Sequence, residues 1–249
     1  MIIAHLAYDT TTLKACVATC FTWYNIAIPH LHHILILRGC PSCTPGGDHP
    51  GLLQNLHKLR LSPFVKQLHF RKACAMKHCR NTQFLRNIRA MVDLQELKIA
   101  GLDFSQFPAG LGKQLGHFSP TLRSVALCRP SGTRRQLLNF LRLFPMLDDV
   151  EISHYRSRWE AHGDLDGRLA PISGRLRGHL TLCMFSEEEL LEDIAVAFGG
   201  MRFTSMHLCS VRGTKFLLET CAHTLETLRI CAYDLPHASE IVFYPKTVF

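Results

Sequence analysis

A short pattern of apolar and variable positions recurs along the chain. It reads apolar, two variable residues, apolar, one variable residue, apolar. The fourth and sixth positions alternate with variable ones, which is typical of a β-strand with one buried face. The copies are LHHILI (31–36), VKQLHF (65–70), LQELKI (94–99), LRSVAL (122–127), LDDVEI (147–152), FTSMHL (203–208) and LETLRI (225–230), with a weaker copy, GHLTL, that ends at Leu182.

The spacing of these copies predicts a repeat architecture. Their fourth positions are Ile34, Leu68, Leu97, Val125, Val150, Leu180, Met206 and Leu228, and successive intervals run from 22 residues (206 to 228) to 34 (34 to 68). A recurrence of this length is the signature of a solenoid. Each strand is followed by enough chain for a return crossover, so we expect parallel strands that lie side by side in sequence order. The residues Leu97 and Ile99 should then neighbour Val125 and Leu127, with Lys98 on the open face of the sheet.

Helical periodicity fills the intervals between several strands. The stretches are TRRQLLNFLRLF with Leu137, Leu138, Leu141 and Phe144 on one face, SEEELLEDIAVAF with Leu190, Leu191, Ile194 and Phe198, and TKFLLETCAHTL with Phe216, Leu217, Thr220 and Cys221. The second stretch opens with Ser186 and Glu189, which predict a capping box. We therefore predict an α/β fold, an irregular leucine-rich-repeat solenoid with a parallel sheet and outer helices. An ordinary α/β domain is the alternative. Residues 40–51 and 154–174 are rich in Gly or polar residues and read as loops.

The N-terminal segment does not follow the repeat. TTTLKACVATCFTWYNIAI begins with threonines suited to an N-cap, and its apolar positions Leu13, Cys16, Val17, Cys20 and Trp23 or Tyr24 describe one helix face. The fragment IIAHL, with Ile2, Ile3 and Leu6, predicts a further helical turn before it. We expect residues 1–30 to form one helical unit.

These N-terminal residues resemble the F-box motif of fungal proteins in which an F-box precedes leucine-rich repeats. The resemblance is carried by IIAHL and TLKACVATCFTWYNIAIPHLHHILIL, that is, by Ile3, Leu6, Leu13, Cys16, Cys20, Trp23, His30 and Leu31. The later LFPMLDDVEI and TLETLRI are similar to the repeats of that family. A Leu-Pro-x-Glu segment usually precedes the first F-box helix, and this chain starts inside that helix, so we expect an N-terminally truncated F-box.

The resemblance implies a substrate-recognition adaptor of an SCF-type ubiquitin ligase, with no enzymatic activity and no cofactor. It divides the chain into a partial F-box unit, 1–33, and a leucine-rich-repeat-like solenoid, 34–249. The F-box helices would bind the Skp-family linker subunit through Ile2, Ile3, Leu6, Leu13, Cys16, Val17, Cys20 and Trp23. The repeats would present a protein target with the sheet positions His69, Lys98, Glu151, His207 and Arg229.

Composition leaves two further hypotheses open. A plain repeat scaffold would use the F-box remnant as an N-terminal cap, because the open end of a solenoid exposes apolar surface. A net charge of +8 permits nucleic-acid binding, although the basic residues are spread along the chain and make that reading less favoured. No run of 18 apolar residues and no secretory signal occur, so we expect a cytoplasmic or nuclear protein without a membrane span.

The chain is rich in histidine and cysteine, but their spacing matches few catalytic or metal motifs. The sequence contains no H-E-x-x-H, G-x-S-x-G, phosphate loop or G-x-G-x-x-G. Cys40 and Cys43 form a C-x-x-C, and with Cys74 and Cys79 they could supply four zinc ligands, but no second tight pair closes such a site, so loop thiols are the favoured interpretation. The eleven cysteines are an odd, scattered set, and we expect free thiols rather than a disulfide network. We predict no metal site.

Overall fold

The chain forms a mixed α/β fold around one nine-stranded open sheet, as seen in a computed structural model. The structure describes residues 9–37, 55–71, 87–106, 112–113, 115–157, 177–183, 188–197, 200–209, 214–232 and 239–243. The predicted loop at 40–51 lies outside these residues, as do Ser186 of the predicted capping box and most of the predicted loop at 154–174.

The strands of this sheet follow one another in sequence order. Eight of them run parallel, and the last is antiparallel to its neighbour. The strands are β1 (Ile34–Leu37), β2 (Gln67–Phe70), β3 (Glu96–Ala100), β4 (Ser124–Cys128), β6 (Asp149–Ser153), β8 (His179–Cys183), β9 (Ser205–Leu208), β10 (Thr227–Ala232) and β11 (Ser239–Phe243). The parallel order predicted from the repeat is confirmed, whereas β11 lay outside the pattern and was not predicted.

The register of the sheet follows the repeated apolar positions. Leu97 pairs with Val125 and Ile99 with Leu127, and all four side chains are buried. Such pairing stacks the fourth and sixth positions of every copy after the first into continuous apolar rows, as expected when one face of every strand is buried.

The first copy of the repeat departs from the predicted register by one residue. In β1, Leu35 pairs with Leu68 and Leu37 with Phe70, so Leu35 occupies the buried position that the pattern assigned to Ile34. Ile34 is only half-buried and pairs with Gln67. Four consecutive apolar residues, ILIL, satisfy either face of a strand, so the pattern alone did not fix this register.

Helices cover the buried face of the sheet. They are α3 (Arg134–Leu141), α4 (Glu188–Ala197) and α5 (Thr214–Cys221), and the predicted helical stretches contain them. Leu137, Leu141, Ile194 and Cys221 are buried in a single core cluster that runs from β1 to β10. A capping box occurs in α3, where the Thr133 hydroxyl accepts from Gln136 N at 3.2 Å and Gln136 Oε1 accepts from Thr133 N at 3.0 Å.

Two helices form the described part of the N-terminal unit. Helix α1 spans Thr10–Thr19 and α2 spans Phe21–Leu31, with Cys20 in an extended conformation between them. The prediction of one continuous helix face from Leu13 to Trp23 was therefore wrong. The N-cap is Asp9 rather than a threonine, because its carboxylate accepts from Thr11 N at 3.1 Å and Thr12 N at 3.0 Å.

The helix pair joins the sheet directly. Leu13 and Ala27 are fully buried against each other in a small cluster, and Ile28 belongs to the main core beside the sheet. Val17 packs against both clusters and links them. Strand β1 begins at Ile34, three residues after α2 ends, so little chain separates the two parts.

A small second sheet lies where a loop was expected. Strands β5 (Ser131–Gly132) and β7 (Arg156–Ser157) pair in parallel, and Tyr155 Oη donates to Gly132 O at 2.9 Å. The start of the predicted 154–174 loop is thus fastened to the turn before α3. Within the described ranges, none of the helices has the length and apolar character needed to cross a membrane.

Candidate interaction surfaces

Helix α2 carries large apolar side chains that the described part of the chain leaves at least partly exposed. Phe21 is 79% exposed, Trp23 40%, Tyr24 39% and Ile26 39%. Residues three apart are neighbours on a helix surface, so Phe21 lies beside Tyr24 and Trp23 beside Ile26, and the two pairs lie on different sides of the helix. We call these four residues the exposed apolar residues of α2. Water contact with this much aromatic surface is unfavourable, which is typical of a site that a partner covers.

The residues predicted to bind the linker subunit divide into two groups. Trp23 and Cys20 are exposed, whereas Leu13 is buried and Cys16 and Val17 are half-buried and pack inside the chain. Leu13, Cys16 and Val17 therefore hold α1 against α2 and the sheet in this conformation. Ile2, Ile3 and Leu6 lie outside the described residues. Sequence reasoning missed Phe21 and Ile26, because it treated the two helices as one.

The open face of the sheet brings the predicted target-facing residues into one row. His69 pairs with Lys98, Glu151 pairs with Thr181, and His207 pairs with Arg229. The row is completed by Ala126 and reads His69, Lys98, Ala126, Glu151, Thr181, His207, Arg229. Neighbouring strands lie about 4.8 Å apart, so these side chains form a continuous strip. Whether a target binds there stays a prediction.

Charges of both signs are mixed on this face. Lys98 Nζ lies 2.6 Å from Glu96 Oε1 within the same strand, and Glu151 is exposed in the same row as Lys98. Asp149 Oδ1 accepts from His179 N at 2.9 Å, which fixes that carboxylate against the next strand. Such a surface suits specific polar contacts with a protein better than it suits a uniform polyanion.

The close contact between β6 and β8 depends on a glycine. Gly178 N donates to Asp148 O at 2.9 Å, immediately before β8 begins. A Cβ atom at this position would lie 2.5 Å from Asp149 Oδ1 and 2.7 Å from Asp148 O. A side chain there would force these strands apart and displace the Asp149 carboxylate from the open face.

His69 differs from its neighbours in the strip because part of its imidazole is buried. Burial lowers its pKa, and the positive charge of neighbouring Lys98 lowers it further. Within the part of the chain that the structure describes, its Nε2 atom is buried and has no hydrogen-bond partner. The lowered pKa favours the neutral form of the imidazole, which offers a polar atom that a bound group could satisfy.

Thiols and one histidine cluster at the other end of the open face. His207, Cys209 and Cys231 place their ligand atoms within 4.8 Å of one another, and Cys183 Sγ lies 2.9 Å from Cys209 Sγ. Burial raises the pKa of Cys209 to about 12, with hydrogen bonding to Cys183 as the next cause. Sequence reasoning missed this cluster. The available signal was that Cys183, Cys209 and Cys231 each stand three residues after a fourth position of the repeat.

The earlier zinc candidates are not placed by the structure. Cys40, Cys43, Cys74 and Cys79 lie outside the described residues. The seven cysteines that are described, Cys16, Cys20, Cys128, Cys183, Cys209, Cys221 and Cys231, carry free thiols. Compared with protein-family models and with curated proteins, the chain matches none.

Proposed function

We propose that this chain is a non-enzymatic adaptor of the SCF ubiquitin-ligase type. The N-terminal helices bind the Skp-family linker subunit, and an irregular leucine-rich-repeat solenoid presents the open sheet face to a protein target. The adaptor makes and breaks no bond. It raises the effective concentration of the target near the ubiquitin-charged enzyme.

The observation that carries the proposal is the set of exposed apolar residues of α2. A terminal cap that only closed a repeat array would need polar residues on its exposed surface to keep the protein soluble. Helix α2 instead exposes Phe21, Trp23, Tyr24 and Ile26. Tryptophan and tyrosine are enriched among the few residues that dominate binding energy at protein interfaces. This favours a docking helix over the plain scaffold with an N-terminal cap.

The sheet supports the second half of the proposal. Parallel strands in sequence order with helices on the buried side leave the opposite face uncovered by any helix of the described ranges, and its residues alternate with the core residues along each strand. The strip from His69 to Arg229 crosses seven strands, which offers a target a long surface without enclosing it. Its mixed charges favour a protein target over nucleic acid.

Binding to a purified Skp-family linker subunit tests the proposal. We expect a measurable complex by calorimetry, and we expect Phe21→Ala with Trp23→Ala to weaken it about tenfold or more, as loss of interface anchors does. The matched control is Val92→Ala, because Val92 is 55% exposed in the turn before β3, away from the helices. The control should bind as the parent does, and circular dichroism should show that all variants fold.

Two results would overturn the adaptor proposal. One is equal binding by the α2 variant and the control. The other is no binding by this chain together with no binding by a version extended with the Leu-Pro-x-Glu segment of the family. The second result would leave the repeat scaffold as the better hypothesis.

A further inference from the structure

One row of the open face is occupied by small side chains at the carboxyl ends of the parallel strands. Cys128 pairs with Ser153, and Ser153 pairs with Cys183. Cys183 contacts Cys209 in the next strand, at an Sγ–Sγ distance of 2.9 Å. The register of β9 and β10 pairs Leu208 with Ile230, which brings Cys209 beside Cys231. Three consecutive strands thus carry a cysteine within one residue of their carboxyl ends, and these cysteines stand side by side.

Strand geometry adds a histidine to the last part of this row. Residues two apart on a strand point to the same face, so His207 and Cys209 share the open face. His207 Nε2 lies 3.1 Å from Cys231 Sγ, and the ligand atoms of His207, Cys209 and Cys231 are all within 4.8 Å of one another. Cys209 is 6% exposed, which limits the access of water to the cluster.

These donors match the chemistry of one class of metal ion. Thiolate sulfurs are soft ligands that select zinc, copper(I) or iron–sulfur clusters, and imidazole suits zinc. Zinc sites of three cysteines and one histidine are tetrahedral, and a Zn–S bond of about 2.3 Å sets ligand atoms about 3.7 Å apart. The ligand atoms of His207, Cys209 and Cys231 lie within 4.8 Å of one another, with 3.1 Å between His207 Nε2 and Cys231 Sγ, so their separations are close to that value. Cys183 Sγ contacts Cys209 Sγ at 2.9 Å but stands outside this group of three, so its side chain would turn towards His207 and Cys231 to complete the tetrahedron.

We propose that His207, Cys209 and Cys231, with Cys183 as the fourth ligand, form a structural zinc site. The ion ties together the ends of β8, β9 and β10 on the open face. The cysteines lose their protons when the ion binds. Contacts between neutral thiols are then replaced by bonds from thiolates to the zinc cation. The inference does not depend on the adaptor proposal, because it concerns only the stability of this end of the sheet.

The main competitor is a disulfide between Cys183 and Cys209, which stand opposite each other on adjacent strands. Such a bond would form with loss of two protons and two electrons to a thiol-specific oxidant, and it would remove two of the four ligands. The two states are mutually exclusive, so a single preparation can distinguish them.

The test uses the full chain, reduced and stripped of metal by a chelator. Zinc is titrated in competition with a chromophoric chelator, and cobalt(II) is used in parallel as a spectroscopic substitute. We expect one ion per chain, cobalt ligand-field bands of tetrahedral intensity with thiolate charge-transfer absorption, and a higher melting temperature with zinc. Cys209→Ser and Cys231→Ser should each lower zinc affinity on the order of a hundredfold or more, as loss of a thiolate ligand does.

Two controls separate this site from other thiols. Cys128→Ser changes an exposed cysteine in the same row, two strands away from Cys183, and should leave affinity unchanged. A variant with serine at Cys40, Cys43, Cys74 and Cys79 should retain the bound ion. The proposal is overturned if that variant loses the ion while Cys209→Ser keeps it, if reduced wild-type chain gives no tetrahedral cobalt spectrum, or if mass analysis of alkylated protein from cells finds Cys183 and Cys209 joined as a disulfide.

Discussion

The assignment of buried and open faces to each strand is tested by placing one new carboxylate on each face. Val125→Asp puts the charge at a fully buried position between Leu97 and Val150 of the neighbouring strands. Lys98→Asp puts it at an exposed position of the adjacent strand. Both substitutions introduce the same side chain into the middle of a central strand, so intrinsic strand preference largely cancels.

The two costs differ because only one position is removed from water. Loss of a buried valine costs about 1.5–3 kcal/mol. An unpaired carboxyl group left in its place costs about 1–3 kcal/mol more even when protonated. The sum, about 2.5–6 kcal/mol, is a large part of the roughly 5–15 kcal/mol typical of a whole protein. Lys98→Asp loses the 2.6 Å ion pair with Glu96, and exposed pairs contribute at most about 1 kcal/mol.

Urea denaturation followed by circular dichroism measures both free energies of unfolding. We expect Val125→Asp to be unfolded or strongly destabilised and Lys98→Asp to unfold close to the parent. Equal losses in the two variants would mean that the faces are assigned wrongly, and the repeat reading would have to be abandoned.

Three further outcomes follow from local geometry. Gly178→Ala should destabilise the protein by about 1–3 kcal/mol, because its Cβ would lie 2.5 Å from Asp149 Oδ1, while Gly116→Ala, with open space around it, should be nearly neutral in a thermal melt. Asp9→Ala should speed amide exchange in α1, because the helix loses its N-cap. Hydrogen bonds from Thr12 lower the pKa of Asp9. The stabilisation from the cap is therefore fully present above the usual aspartate pKa and is lost as the pH falls through the lowered pKa. Cys128 is exposed, whereas burial raises the pKa of Cys221 to about 11. Timed alkylation at pH 8 should therefore label Cys128 well before Cys221. The reverse order of labelling would contradict the burial assigned to the two thiols.

The strand order and most of the register could be predicted from the sequence. Because each strand buries one face, apolar residues recur at every second position along it. The pattern was sufficient at Leu97 and Val125, where polar residues flank the apolar ones. It failed at Ile34, because a strand with four apolar residues in a row carries no alternation. The antiparallel strand β11 was missed since it comes after the last copy and has no repeat partner.

The N-terminal helices and the thiol cluster show what local patterns do not encode. Cys20 separates α1 from α2 without a glycine or proline that would indicate a break. The apolar residues on both sides of it were therefore interpreted as one helix. Asp9 caps α1 from a position just outside the threonine run. The ligands of the proposed zinc site lie 26 and 22 residues apart (183 to 209, 209 to 231), an interval set by the repeat rather than by a ligand motif. Only the register of the sheet brings them together.

The adaptor proposal is tested most directly by hydrogen–deuterium exchange of the full chain with and without a Skp-family linker subunit. Docking through the exposed apolar residues of α2 predicts slower exchange in peptides that cover α1 and α2, with the strands from β2 to β10 unchanged. Protection confined to the strip on the open sheet face, or no protection at saturating linker subunit, would contradict it.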